Sequence, residues 1–233
     1  MGVMLAGVLQ LLFQLPSLHA LKLTPKPVWD TQDAGVRKIL MLMVPALFGV
    51  SVSQINLLFD TVLASLLPNG SVAWLYYSDR LTELPLGVFA IAIATVILPA
   101  LSALNTRAAA DEFSQTLTWA VRNVLLIAVP ATVALWLLAE PILTALFQYG
   151  AFTTNDVTMA AASLRAYTLG LGAFMLIKVL APGYYARQDM KTPVKIGIVA
   201  MVSNMVLNVL FVFPLMWYFD MGHVGLALAT SAS

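Results

Sequence analysis

Long apolar runs separated by short polar stretches make up most of this chain. A transmembrane helix needs about 20 mainly apolar residues to cross the hydrocarbon core of a bilayer. Several runs reach or approach that length, and a last one begins near Gly222 and is cut off by the end of the chain. The full runs are Met1–Leu18, Ile39–Leu67, Leu84–Leu104, Val124–Phe147, Ala160–Ala181 and Val194–Phe219. The pattern predicts an all-α, polytopic helical membrane bundle with about six full transmembrane helices and a truncated seventh.

The composition agrees with a membrane location and excludes several classes of function. Hydrophobic residues make up 61% of the chain and charged residues only 10%, whereas an ordinary soluble domain carries about 25% charged residues. The net charge of +1 lacks the basic excess that binding to nucleic acid requires. The chain has no cysteine, and its two histidines, His19 and His223, lie far apart. We therefore expect no cofactor, no metal site and no enzymatic activity.

Basic residues are distributed unevenly among the connections between the runs. Nine of the twelve lie in alternate connections, at 19–38, 105–122 and 186–195. The remaining connections, which contain no lysine or arginine, are 68–78, 148–159 and 220–222. Because cytoplasmic loops of membrane proteins carry an excess of these residues, the first set is predicted to be cytoplasmic. The amphipathic pattern of 105–122 predicts a helix that lies on the cytoplasmic surface or extends the next span.

The second apolar run carries a stripe of small and polar residues. Gly49, Ser53, Asn56 and Asp60 follow one another at helical spacing and share one face. Asp60 is best explained by a cavity or a coupling ion, while hydrogen bonds between helices explain Ser53 and Asn56 equally well. Pro45 and Gly49 predict a hinge in this helix, because proline removes a backbone donor and glycine loosens the helix.

A cluster of charges comes directly before the third apolar run. Asp79, Arg80 and Glu83 fall within five residues, and Pro85 and Gly87 follow within a turn. Ionisable groups inside a membrane usually face a bundle interior or a watery cavity, so the cluster indicates a transport pathway with a hinge at Pro85 and Gly87. A helix end whose charges lie among lipid headgroups is an equally good explanation from position alone.

Two further basic residues lie in the fifth run. Arg165 is near its uncharged end and Lys178 near its cytoplasmic end, and each can reach the nearby interface with its long side chain. Their spacing also allows both to face one cavity. Asn204 and Asn208 share a face of the sixth run, where we interpret them as interhelical packing groups.

Three strings resemble the MurJ (MviN) family of lipid II flippases. They are DTVLASLLPNGSVAWLYYSDRLTELPLGVFAIAIATVILPALS, LFQYGAFTTND and GYYARQDMKTPV, in this order. The resemblance implies the multidrug/oligosaccharidyl-lipid/polysaccharide exporter fold, with about fourteen spans in two lobes. By this resemblance residues 1–18 are the last helix of the N-terminal lobe, 19–38 are the cytoplasmic linker, and 39–233 are most of the C-terminal lobe.

The resemblance also implies a function. The expected substrate is lipid II, the undecaprenyl-pyrophosphate-linked disaccharide-pentapeptide, carried across the bacterial inner membrane by alternating access for peptidoglycan synthesis. The expected partners are lipid II, the membrane lipids and the N-terminal lobe. Arg80, Glu83 and Lys178 match charged positions of the family's central cavity, and Asp79 and Arg165 are further candidates for substrate binding. An ion-coupled multidrug or polysaccharide exporter of the same fold is the alternative, and it would use Asp60 and Glu83 as cation or proton sites.

Overall fold

The computed structural model describes residues 2–21 and 34–233, and for Pro45, Gly49, Ser53 and some other residues before position 54 it describes the backbone alone. Within these ranges the regular structure is entirely helical, which confirms the all-α fold class. The helices are α1 Gly2–Ala20, α2 Ala34–Ser65, α3 Ser71–Pro85, α4 Ile91–Thr106, α5 Ala110–Leu137, α6 Ala139–Phe147, α7 Thr154–Ala186, α8 Lys191–Phe219 and α9 Gly222–Ala232, and a π-helical segment, Leu86–Ala90, joins α3 to α4.

Several helices have the dimensions of membrane spans. In the described part of the chain four are long and apolar enough to cross a membrane by length and composition. They are Ser71–Thr106, Ala110–Leu137, Thr154–Ala186 and Lys191–Phe219. By its internal contacts the chain divides into two units, Met1–Met41 and Leu42–Ser233. The second unit contains every residue of the site described below.

The third span begins earlier than the sequence predicted. The connection predicted at 68–78 is wrong, because α3 already starts at Ser71. Gly70 has a φ of 104°, and a side chain there would collide with the Trp74 ring, 2.6 Å from its Cβ position. Ser71 Oγ donates to the Pro68 carbonyl at 2.8 Å, which closes the turn. A tight local turn therefore replaces the long connection that the aromatic and charged residues suggested.

The fourth predicted span, Val124–Phe147, is also wrong as a single helix. It consists of the last part of α5 and the short helix α6, with a break at Leu138. Pro141 lies in the first turn of α6 and has no N–H to donate to the carbonyl four residues earlier. Proline is tolerated in the first turn of a helix, where the N–H has no intrahelical partner, so the break at Leu138 accommodates Pro141. At its other end α5 begins at Ala110, so the amphipathic stretch 105–122 extends a span, as one of the two expectations stated.

Helix α7 is the central element of the second unit. It packs against α3, α4, α5, α6 and α9. Its apolar side chains Leu171, Met175 and Val179 are fully buried in a core shared with α4 and α5. The same helix contributes Phe174 and Lys178 to a cavity that charged residues of α3 also line.

Helix α9 lies close against both of its neighbours through small residues. A Cβ on Gly170 of α7 would come within 2.8 Å of the Ser231 Cα, and a Cβ on Gly225 would come within 2.8 Å of the Phe211 backbone. Ser231 Oγ donates to the Ala166 carbonyl at 2.8 Å. Glycine is needed at both positions because no larger residue permits this approach of two helices.

The connection between α7 and α8 forms a capped turn. Asp189 accepts hydrogen bonds from the backbone N–H groups of Lys191 and Thr192 and, at 2.6 Å, from the Thr192 hydroxyl. These donors, the Thr192 hydroxyl first, hold the pKa of Asp189 below its ordinary value. The guanidinium of Arg187 lies 4.5 Å from the centre of the Phe113 ring, which joins this turn to the start of α5. The string GYYARQDMKTPV thus has a local structural role at the end of two spans.

Candidate functional site

The charged cluster lies inside a continuous helical span. Helix α3, the π-helical segment and α4 run from Ser71 to Thr106 over 36 residues. Asp79, Arg80 and Glu83 lie within α3, eight or more residues after the start of this helix. Pro85 ends α3, and the π-helical segment that contains Gly87 follows at once. Such segments occur frequently at functional sites, and a hinge at Pro85 and Gly87 stays a prediction.

Arg80 has two partners on its own helix. Its Nη1 donates to Glu83 Oε2 at 2.6 Å, and its guanidinium carbon lies 5.0 Å from the centre of the Tyr76 ring. The side chains of Arg80 and Glu83 are 54% and 52% exposed. An ion pair this exposed contributes little to stability, so Glu83 can be exchanged for another anion at little cost.

A cavity of about 320 Å³ is lined by residues of both α3 and α7. Asp79, Thr82 and Glu83 line it from α3, and Phe174 and Lys178 line it from α7. Lys178, which the sequence alone could assign to the interface, therefore shares a cavity with two carboxylates of the cluster. The cavity combines one ammonium and two carboxylates with an apolar wall.

A second cavity, of about 340 Å³, adjoins the first at Asp79, which lines both. Tyr76 from α3 and Tyr167 from α7 contribute aromatic rings with polar hydroxyl ends. Asn56 and Asp60 line the same cavity from α2. The charged cluster and the polar stripe of α2 thus open into neighbouring spaces.

Asp60 belongs to a hydrogen-bonded network that joins α2, α8 and α9. Asn208 of α8 donates to Asp60 Oδ1 at 2.6 Å, and Asn56 donates to Asp60 Oδ2 at 3.2 Å. The amide nitrogen of Asn204, in the orientation that satisfies its neighbours, donates to Asp60 Oδ1 at 3.2 Å and to Asn56 Oδ1 at 3.0 Å. In the same orientation the Asn204 oxygen accepts from the Thr230 backbone N–H of α9 at 3.2 Å. Asn204 and Asn208 are fully buried. We call these five residues the Asp60 network.

Arg165 is placed apart from the charged cluster. Its Nη2 donates to Glu140 Oε1 at 3.1 Å, and its Nε donates to the Trp136 carbonyl at 3.4 Å. These contacts join α7 to α5 and α6, and Arg165 lines neither of the two cavities. A role of Arg165 in substrate binding stays a prediction. The positions of the Ser53 side chain and of a hinge at Pro45 and Gly49 lie outside what the structure describes, although the backbone of α2 is helical there.

Several residues of the site are not assigned to it by the sequence. Aromatic residues near the ends of spans are typical of the membrane–water interface, which explains Tyr76 without a ligand. Packing between helices explains Asn204 and Asn208, and the sequence gives no signal at Tyr167. The position of Tyr76 four residues before Arg80 is nevertheless informative, because residues at this spacing are neighbours on a helix. The two asparagines carry a weaker signal, since the contact of Asn208 with Asp60 spans 148 residues of sequence.

Comparison with known proteins identifies the family. The whole chain, residues 1–233, matches the family described as "Lipid II flippase MurJ". The chain is 58% identical over 232 residues to a probable lipid II flippase MurJ of Vibrio cholerae, with 100% of this chain and 43% of the relative covered. It is 54% identical to a probable lipid II flippase MurJ of Haemophilus influenzae, over 100% of this chain and 45% of the relative.

Solved structures agree with this result. A lipid II flippase MurJ in an inward closed conformation superposes with a TM-score of 0.72 at 32% identity, covering 89% of this chain and 42% of that one. An outward-facing transporter of the multidrug resistance MATE family has the same TM-score at 18% identity, covering 83% of this chain and 41% of that one, and it supports the fold alone. The chain spans less than half of the length of these relatives. Because the match extends over every residue of the sequence, this chain belongs to the MurJ family of lipid II flippases.

Proposed function

We propose that the chain forms part of a flippase that carries lipid II from the inner to the outer leaflet of the bacterial inner membrane for peptidoglycan synthesis. It is a multi-pass membrane protein of a transporter family and not an enzyme. The observation that supports the proposal best is the exposed Arg80–Glu83 pair on a transmembrane helix, next to a cavity that also contains Lys178. The substrate itself is inferred from the family, whose relatives are named for lipid II.

The chemistry of the cluster fits a pyrophosphate headgroup. A guanidinium has several N–H donors in one plane and binds phosphate oxygens through paired, charge-assisted hydrogen bonds. Such bonds replace the water that an anionic headgroup loses when it leaves the aqueous phase. When the headgroup arrives, it displaces Glu83 from Arg80, and Lys178 supplies a second positive charge. Asp79 and Glu83 keep the empty site close to neutral, which limits the cost of unpaired charge in the membrane.

Movement of the site between the two faces requires the rest of the transporter. The second partner in our proposal is the N-terminal lobe, because the relatives are more than twice as long as this chain. In alternating access the two lobes would then rotate relative to each other, so that the site opens first to one face of the membrane and then to the other. The π-helical segment Leu86–Ala90 is the candidate hinge, since it directly follows the charged residues and lacks the regular hydrogen-bond ladder of an α-helix.

The Asp60 network supports a role in energy coupling within the same transporter. The half-buried Asp60 carboxylate can take up a proton, and it would offer a small cation oxygen ligands together with the amide oxygens of Asn56 and Asn208 once their nitrogens, which now donate to Asp60, turn away. We include Asp60 and Asn56 in the proposal as a coupling site. The exporter alternative would use the same residues, but the names of the relatives favour a lipid-linked substrate over a drug or polysaccharide.

The test uses a full-length protein that contains this chain and measures lipid II flipping per molecule of inserted protein. Arg80→Ala should abolish flipping and leave membrane abundance unchanged, because the exposed pair adds little stability. Arg80→Lys should retain part of the activity, since the charge remains and the planar fork is lost. Arg80→Glu should be the most harmful, because it places a third carboxylate beside Asp79 and Glu83.

A purely structural Arg80 would give a different result. Removing one partner of a structural pair leaves the other unpaired, so Arg80→Ala and Glu83→Ala would both lower abundance. The charge-swapped double variant would then restore abundance. Normal flipping per molecule in Arg80→Ala would rule out the proposed role in substrate binding.

A further inference from the structure

We propose that Tyr76 is the positioning residue of Arg80, and that the guanidinium stays over the Tyr76 ring while its anionic partner changes from Glu83 to the substrate. The inference rests on the proposed function and adds a residue that holds the binding group. Arg80 has Tyr76 four residues before it and Glu83 three residues after it, so all three share one side of α3. The Tyr76 ring centre lies 5.0 Å from the guanidinium carbon.

The two partners of Arg80 use different parts of the guanidinium. Glu83 accepts from Nη1, an in-plane donor, at 2.6 Å. An aromatic ring attracts a cation through the negative charge of its face and needs none of the in-plane donors. A pyrophosphate oxygen competes with Glu83 for those donors but does not compete with the ring. Tyr76 can therefore restrict the motion of the guanidinium both before and after a pyrophosphate oxygen replaces Glu83. Because the guanidinium is already restricted, less conformational entropy is lost when the substrate binds.

The Tyr76 ring is itself held by neighbouring aromatic residues. It meets Tyr77 edge to face, with ring centres 5.6 Å apart and an interplanar angle of 75°. Tyr77 in turn contacts Phe147, at 4.6 Å, and Phe152, at 5.3 Å. Phe147 ends α6, and Phe152 lies in the following connection, within the string LFQYGAFTTND. A continuous path of rings thus runs from this connection to Arg80, and Tyr76 is its last member.

The experiment measures the affinity of the full-length protein in lipid nanodiscs for undecaprenyl pyrophosphate. Tyr76→Leu removes the ring and should weaken binding about two- to fivefold, the effect of losing a cation–π contact at an exposed site. Tyr76→Phe keeps the ring and removes only the hydroxyl, which also lies beside the guanidinium, so it should bind more tightly than Tyr76→Leu. The matched control is Tyr218→Leu, which removes an 80% exposed tyrosine on α8 and should leave the affinity unchanged.

A double-mutant cycle distinguishes positioning from direct contact or general destabilisation. In an Arg80→Ala background Tyr76→Leu should have no further effect, because Tyr76 acts only through Arg80. Equal weakening by Tyr76→Leu in both backgrounds would overturn the positioning role, and so would an unchanged affinity of Tyr76→Leu beside a weakened Arg80→Ala. If Arg80→Ala binds undecaprenyl pyrophosphate normally, both the proposed function and the positioning role of Tyr76 are wrong.

Discussion

The Asp60 network and the Arg80 pair both place polar groups in apolar helices, but they are held together differently. The Asp60 network joins α2, α8 and α9 through amide side chains, two of them fully buried, and its shortest contact links residues far apart in the chain. The Arg80 pair lies on α3 alone, with both side chains more than half exposed. One group of contacts depends on the tertiary fold, and the other depends only on the helix that carries it.

This difference predicts how each region responds to change. A buried carboxylate that loses a hydrogen-bond donor retains the cost of its desolvation, so the Asp60 network should be sensitive to substitution. An exposed ion pair gains little from its partner and should tolerate exchange. We therefore expect damage to the Asp60 network to affect stability, and damage to the Arg80 pair to affect transport with little effect on stability.

The largest expected loss in the free energy of unfolding comes from a substitution that forces α9 away from α7. In Gly170→Ala the new methyl group would lie 2.8 Å from the Ser231 Cα, next to Thr230 of the Asp60 network. Because backbone must shift, we expect a loss of about 3 kcal/mol in the free energy of unfolding. The measurement is thermal or denaturant unfolding in detergent micelles, followed by tryptophan fluorescence.

The matched control for this variant is Gly172→Ala on the same helix, where a Cβ meets nothing within 4 Å among the described residues. It should be neutral or stabilising by up to about 1 kcal/mol, because alanine favours helix more than glycine does. Equal destabilisation by the two variants would show that the contact of α9 with α7 does not matter.

A smaller effect is expected from removing one donor of the Asp60 network. Asn208→Ala takes away the 2.6 Å hydrogen bond to Asp60 and should cost about 2 kcal/mol in the free energy of unfolding. In an Asp60→Ala background the same substitution should cost clearly less, because no carboxylate is left to satisfy. Additive losses in the double variant would contradict the network, and unfolding of all four proteins in the cycle provides the measurement.

The smallest effect on stability is expected at the Arg80 pair. Glu83→Gln removes the charge but keeps the size of the side chain, and it should lower the free energy of unfolding clearly less than Asn208→Ala does. Unfolding under the conditions used for Asn208→Ala gives the comparison. A loss as large as that of Asn208→Ala would mean that the two regions are held in the same way after all.

The sequence is sufficient for features that arise within one helix. The charges of α3 and the apolar runs depend on neighbours within a few residues, so the sequence alone selects Asp79, Arg80 and Glu83. The sequence does not predict the contact of Asn204 and Asn208 with Asp60, because the residues of one helix do not determine which other helix packs against it. The start of α3 is misplaced for a related reason, since aromatic and charged residues near a span end resemble an interface. Its true start is set by the turn at Gly70.

The π-helical segment also fixes how this span can change in length. Each residue of an α-helix advances the side-chain direction by about 100°, and a π-helical turn accommodates one residue more than a regular turn. Deleting a single residue between Leu86 and Ala90 would allow a regular α-helix to form there. Because the π-helical turn absorbs that extra residue, such a deletion would leave the charges of α3 and the buried Ile97 and Leu101 of α4 facing as they do now. A deletion of one residue within the regular part of α3 or α4 would instead turn one half of the span by about 100° relative to the other, so the π-helical segment is the place where this span can lose a residue at the smallest cost.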